Sequence, residues 1–139
     1  MRKRTKAREY VLQMLYQVEV TQASNWQEVL ENFWQHHGQE EIPDELKEFS
    51  AQLLGGVIAH LSQIDKKISQ YAANWQLERM AFVDRNIMRL GCFELLFRQD
   101  IPPKVAINEA VELAKKYSGL DSGKFVNAIL DQIKIEKEK

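Results

Sequence analysis

One cysteine, three prolines and six glycines in 139 residues are what this sequence has little of, and each shortage excludes something. Cys92 has no second thiol to pair with, so no internal disulfide framework exists, and the chain is long enough to close on an apolar core without one. Few prolines and glycines, few period-two runs and many Ala, Leu, Glu, Lys and Gln residues predict an all-α protein with no strand. No uncharged apolar run approaches the ~20 residues of a membrane helix, and the basic N-terminus lacks an apolar signal core. The expected location is therefore the cytoplasm, with no membrane partner. Catalytic signals are also missing: no glycine-rich phosphate loop, no nucleophile elbow and no Cys/His grouping at metal-ligand spacing. His36 and His37 are adjacent and so face different ways on a helix, and His60 has no acidic ligand pattern around it. No enzyme activity, cofactor or metal is expected.

Net charge is only −1, from 19 Lys and Arg against 20 Asp and Glu, so bulk electrostatics does not announce a nucleic-acid partner. The distribution is uneven. Arg2, Lys3, Arg4, Lys6 and Arg8 fall within the first eight residues, and residues 1–4 form a basic arm ahead of the first apolar stripe. Glu40, Glu41, Asp44, Glu45 and Glu48 cluster around Pro43. Such an arm suits phosphate, and it also suits plain solubility.

In chain order, Ala7, Val11, Met14, Leu15 and Val18 predict a helix from residue 5 to about 21, with Tyr16 off the centre of its stripe. Ser24 or Asn25 caps a second helix that continues toward Gly38, and 38–43 is a polar connection. Leu46 to Tyr71 carry one long stripe, interrupted by Gly55 and Gly56 and bent or broken near Ser62. A turn at Asn74 and Trp75 leads to the face of Met80, Val83, Ile87, Leu90, Glu94 and Phe97, in which the Glu94 carboxylate calls for a structural partner. The tail KIEKEK is expected to fray.

Residues 105–127 read as a helical hairpin. Ala106, Ala110, Val111, Ala114 and Tyr117 share one face, Gly119 suits a left-handed stop, and Asp121 or Ser122 can cap the second helix of the hairpin. Lys124 and Phe125 then stand one turn from a helix N-terminus, where open amides favour an anion. A cation beside an aromatic face fits single-stranded RNA. An edge-of-core Phe125 and a solvated Lys124 fit the same letters.

The stretches RTKAREYVLQMLYQ, NWQLERMAFVDRNIMRLGCFELL and VAINEAVELAKKYSGLDSGKFVNAILD, in this order and spacing, resemble the NusB family of transcription antitermination factors. The likeness spans nearly the whole chain. Residues 22–50 match poorly, and Ala128 stands where the family often has Gly after its FVN triplet. The resemblance implies about seven helices in two packed bundles, acting as a single RNA-binding domain over 1–139. It also implies binding to boxA single-stranded RNA together with the small-subunit ribosomal protein NusE, in an RNA polymerase antitermination complex that serves notably ribosomal RNA operons. Carried over by position, Arg4, Arg8, Arg89, Lys124 and Phe125 are expected to face RNA, and Tyr16 and Asp84 the protein partner. Two other readings are open: a helical scaffold that binds protein only, and the RNA-binding appendage of an RNA methyltransferase, disfavoured because no cofactor-binding segment follows Lys139.

Overall fold

The structure is a computed structural model that describes residues 2–37, 41–72 and 77–139. Among the described residues there are seven α-helices, one short 3-10 helix and no strand. They form two compact units, Met1–Ala59 and His60–Lys139. The connection expected over 38–43 in its first half, the acidic Glu40 and the turn at Asn74 and Trp75 lie outside the described residues.

The first unit packs α1 (Lys3–Thr21), α2 (Trp26–His36) and α3 (Asp44–Ala59) against one another. Helix α1 begins at Lys3, two residues earlier than its stripe suggests, so Lys3 and Arg4 are its first turn rather than a separate arm. It stops where Gln22 takes a left-handed backbone, φ 54°. Asn25 then caps α2 as expected, its Oδ1 accepting from the amides of Gln27 (3.1 Å) and Glu28 (3.3 Å). Tyr10 meets Phe33 and Trp34 edge-on, with ring centroids 5.3 and 5.7 Å apart. Gly55 and Gly56 do not break α3. At Gly55 a Cβ would lie 2.7 Å from Cζ2 of Trp26, so the missing side chain admits an indole, not another backbone.

The second unit holds α4 (Leu61–Tyr71), the 3-10 turn Leu77–Arg79, α5 (Phe82–Phe97), α6 (Pro103–Tyr117) and α7 (Leu120–Glu138). The break between α3 and α4 falls at His60, whose carbonyl accepts from Ile64, and Ser62 is inside α4 rather than its cap. Helix α5 packs against α4, α6 and α7, and from Arg85 to Leu95 only Arg89 escapes burial. Helix α5 is thus buried nearly all round, with Arg85, Asn86 and Glu94 enclosed among its apolar side chains. Gly91 lets α6 and α7 close on it, since a Cβ there would come 2.6 Å from Leu130 Cδ1 and 3.2 Å from Ala110 Cβ.

Several polar groups inside this unit are tied down. Arg85 Nη1 donates to the carbonyls of Leu77 (3.0 Å) and Met80 (3.3 Å), which fixes the 3-10 turn to the start of α5. The hydrogen bond to Asp100 raises the Arg98 guanidinium above its ordinary value, with the charges of Asp100 and then of Glu94, itself 1% exposed, adding to it. Cys92 is buried, as the apolar pattern around it suggests, and burial pushes its thiol up to about 12. The charged tail does not fray: α7 runs to Glu138, with Lys67 Nζ 3.0 Å from Glu136 and Lys137 donating to the Leu95 carbonyl.

Candidate nucleic-acid interface

Helix α6 ends at Tyr117, and the amides of Ser118 and Gly119 both donate to the Ala114 carbonyl at 2.9 Å. Gly119 has φ 131° and ψ 177°, an extended backbone of the wrong hand for any residue with a Cβ. With its positive φ and its amide on the Ala114 carbonyl it closes α6, as expected, and it is also the N-cap of α7. Asp121 and Ser122, expected as caps, lie inside the first turn of α7, which has no side-chain cap. Its opening amides have no acceptor within the helix, which leaves a partial positive charge at this end.

Lys124 projects from the exposed face one turn further on, and Phe125 is half-buried beside it. Ser122, one turn before Phe125 on the same side, bonds Asp84 of α5 through Oγ to Oδ2 at 3.2 Å and lies 3.0 Å from Ser118 Oγ. The Phe125 side of α7 thus faces α5, with Lys124 on the crest. Asp84 Oδ1 is buried and has no hydrogen-bond partner among the described residues.

In the first unit, Arg4 is exposed and its guanidinium sits 4.4 Å from the centroid of the Phe49 ring. Arg8 is only 2% exposed and lies 5.4 Å from the same ring. Lys3 is 3.4 Å from Glu45, an exposed pair of little energetic weight. Lys3, Arg4, Glu45, Glu48 and Phe49 line one cleft, so the acidic flank of α3 meets the basic start of α1. On the open face of α1, Tyr16 (49% exposed) and Val20 (53%) stand one turn apart. Among the described residues no group of His, Cys, Asp or Glu could hold a metal ion, and no helix is long and apolar enough to cross a membrane.

The NusB family model matches residues 5–134. The chain belongs to the NusB family. It is 48% identical to the transcription antitermination protein NusB of Thermodesulfovibrio yellowstonii, over 97% of this chain and 93% of the relative. The solved structure of T. maritima NusB is similar at TM-score 0.86 and 40% identity, covering 96% of this chain and 91% of that one. A chain from a crystal structure of the antitermination factors NusB and NusE in complex with double-stranded RNA is similar at TM-score 0.85 and 29% identity, covering 98% of both chains.

Of the positions that the NusB resemblance marks for RNA, Arg4, Lys124 and Phe125 present surface, whereas Arg8 and Arg89 are already engaged. Arg89 donates from Nε and Nη2 to Asp65 at 2.8 and 2.9 Å and from Nη1 to Asn86 at 3.1 Å, with its side chain 12% exposed. The NusB pattern alone does not reveal Asp65, 24 residues upstream on another helix. The burial of Arg8 did have a signal: Leu12 and Leu15 come after it at helical spacing, and both are buried.

Proposed function

We propose that this chain is a transcription antitermination factor: with the ribosomal protein NusE it binds the boxA element of nascent RNA, and RNA polymerase then reads through terminators, notably in ribosomal RNA operons. The observation that carries the RNA contact is the pairing of an exposed Lys124 with a half-buried Phe125 near the start of α7, a phosphate partner beside a stacking face. Membership of the NusB family and the likeness to a chain from a NusB, NusE and RNA complex support the same partners. The protein acts by binding, without catalysis or cofactor, in the cytoplasm, and residues 1–139 serve as one RNA-binding domain whose basic start is the first turn of α1.

Within this reading Arg4, Lys124 and Phe125 touch RNA. Arg8 packs against Phe49 and sets the ring that carries Arg4, and Arg89 locks α4 to α5. Tyr16, with Val20, offers NusE an apolar surface, and Asp84 holds the start of α7 through Ser122 so that Phe125 keeps its direction. Alone the protein binds weakly, because net charge is near zero; the partner holds the same strand at a second place and makes the first contact effectively intramolecular. Titration of boxA-like and scrambled RNA, with and without NusE, tests this. Tight binding is expected for boxA with NusE present, and equal dissociation constants in all four titrations would refute it.

A further inference from the structure

Gly123 is buried on α7, and what covers it is a lysine of α6. A Cβ at this position would come 2.9 Å from Lys115 Cγ and 3.6 Å from Lys115 Cε, so the aliphatic stem of Lys115 lies along the notch that the absent side chain leaves. Glycine inside a helix weakens it relative to alanine, and here the notch receives the stem of a cation instead of an apolar side chain. The Lys115 side chain remains 44% exposed, with its ammonium 3.4 Å from Glu112, one turn earlier on α6. A pair that open to solvent competes weakly with a phosphate.

Position round α7 gives this contact a direction. Gly123 faces α6, Lys124 lies about 100° further round on the exposed crest, and Phe125 another ~100° on, toward α5. The outer surface of the first turns therefore carries Lys115, Lys124 and Phe125 in that order from one flank to the other. We propose that Lys115 is a further RNA contact, that Gly123 seats its stem so that the ammonium flanks Lys124, and that a single strand crosses α7 with its backbone on the two lysines and a base on Phe125. Holding the stem in a notch removes part of the rotamer freedom that a free lysine loses on binding.

This inference rests on the reading of Lys124 and Phe125 as RNA contacts, and the experiment separates the two. A single-stranded boxA-like oligonucleotide is titrated into the full chain and into Lys115→Ala, Lys115→Met, Gly123→Ala, the double variant Lys115→Ala/Gly123→Ala, and Lys124→Ala. Lys115→Ala should weaken binding about fivefold near ~0.1 M salt and make the salt slope shallower by ~0.7. Lys115→Met, which fills the notch without charge, should bind like Lys115→Ala and melt like the parent. Gly123→Ala should push the stem aside and lose affinity while melting no earlier than the parent, because alanine favours the helix. In the Lys115→Ala background the same change should have no further effect. If the Lys115 variants bind like the parent while Lys124→Ala is impaired, Lys115 only packs α6 on α7 and the inference falls. If Lys124→Ala also binds like the parent, the RNA reading of α7 itself is what fails.

Discussion

Arg89 on α5 grips Asp65 on α4 through two parallel hydrogen bonds, Nε to Oδ1 at 2.8 Å and Nη2 to Oδ2 at 2.9 Å. Both ends are partly shielded, the side chains being 12% and 28% exposed. A guanidinium spent this way is a fastening between helices. Arg89→Ala should therefore cost about 1–3 kcal/mol of stability, and a cycle with Asp65→Ala should show the two changes to be strongly non-additive. RNA affinity of the folded variant should match the parent. Lost RNA binding at unchanged stability would return Arg89 to the RNA surface.

At Gly55 the tight neighbour is rigid. An added methyl group would meet the Trp26 indole at 2.7 Å, and a rigid ring gives way less readily than the flexible stem of a lysine. Overpacking costs about 1–3 kcal/mol, against a gain of ~1 kcal/mol in helix propensity. Gly55→Ala should thus be neutral to clearly destabilising in urea denaturation, and Trp26→Leu should relieve the penalty. A Gly55→Ala protein more stable than the parent in both backgrounds would show that the ring does not occupy that notch.

Acid should loosen the end of α7. The hydrogen bond from Lys67, then that from Tyr71, holds the Glu136 carboxyl below its ordinary value of 4.5. A carboxylate whose pKa is depressed on folding contributes stability above its unfolded pKa and loses it as pH falls through the folded one. Glu136→Gln should therefore be less stable than the parent at neutral pH, and the gap should narrow as pH falls below the carboxyl's ordinary value of 4.5, as followed by thermal melts across pH. A gap that is constant with pH would mean the ion pair contributes nothing.

Helix content was legible because periodicity and composition report burial directly: Ala7, Val11, Met14 and Leu15, like Val126, Ile129, Leu130 and Ile133, are core in both sequence and structure. Helix ends were less so. The α3/α4 break falls at His60, close to Ser62, and Gly119 rather than Asp121 or Ser122 is the N-cap of α7, because several small polar residues near a terminus offer competing caps that periodicity does not rank. At the candidate site, local spacing places Lys124 and Phe125 near the start of α7 but does not separate an RNA contact from an edge-of-core phenylalanine beside a solvated lysine. The engagement of Arg89 by Asp65 and the seating of Lys115 on Gly123 were not legible, since each pairs residues on different helices.

The proposed RNA contact on α7 is tested most directly by placing Lys124→Ala beside Phe125→Ala in RNA titrations over a range of salt, with thermal unfolding of both variants. Lys124→Ala removes a phosphate neutraliser, so the slope of log K against log salt should become shallower by ~0.7 and the loss should be largest at low salt. Phe125→Ala removes a stacking face, which should cost about 1–3 kcal/mol of binding at every salt concentration with the slope unchanged. Different slopes from two proteins that both melt like the parent are the expected result. Phe125→Ala melting several degrees early, with RNA binding restored on cooling, would instead make Phe125 a core residue and contradict the stacking contact.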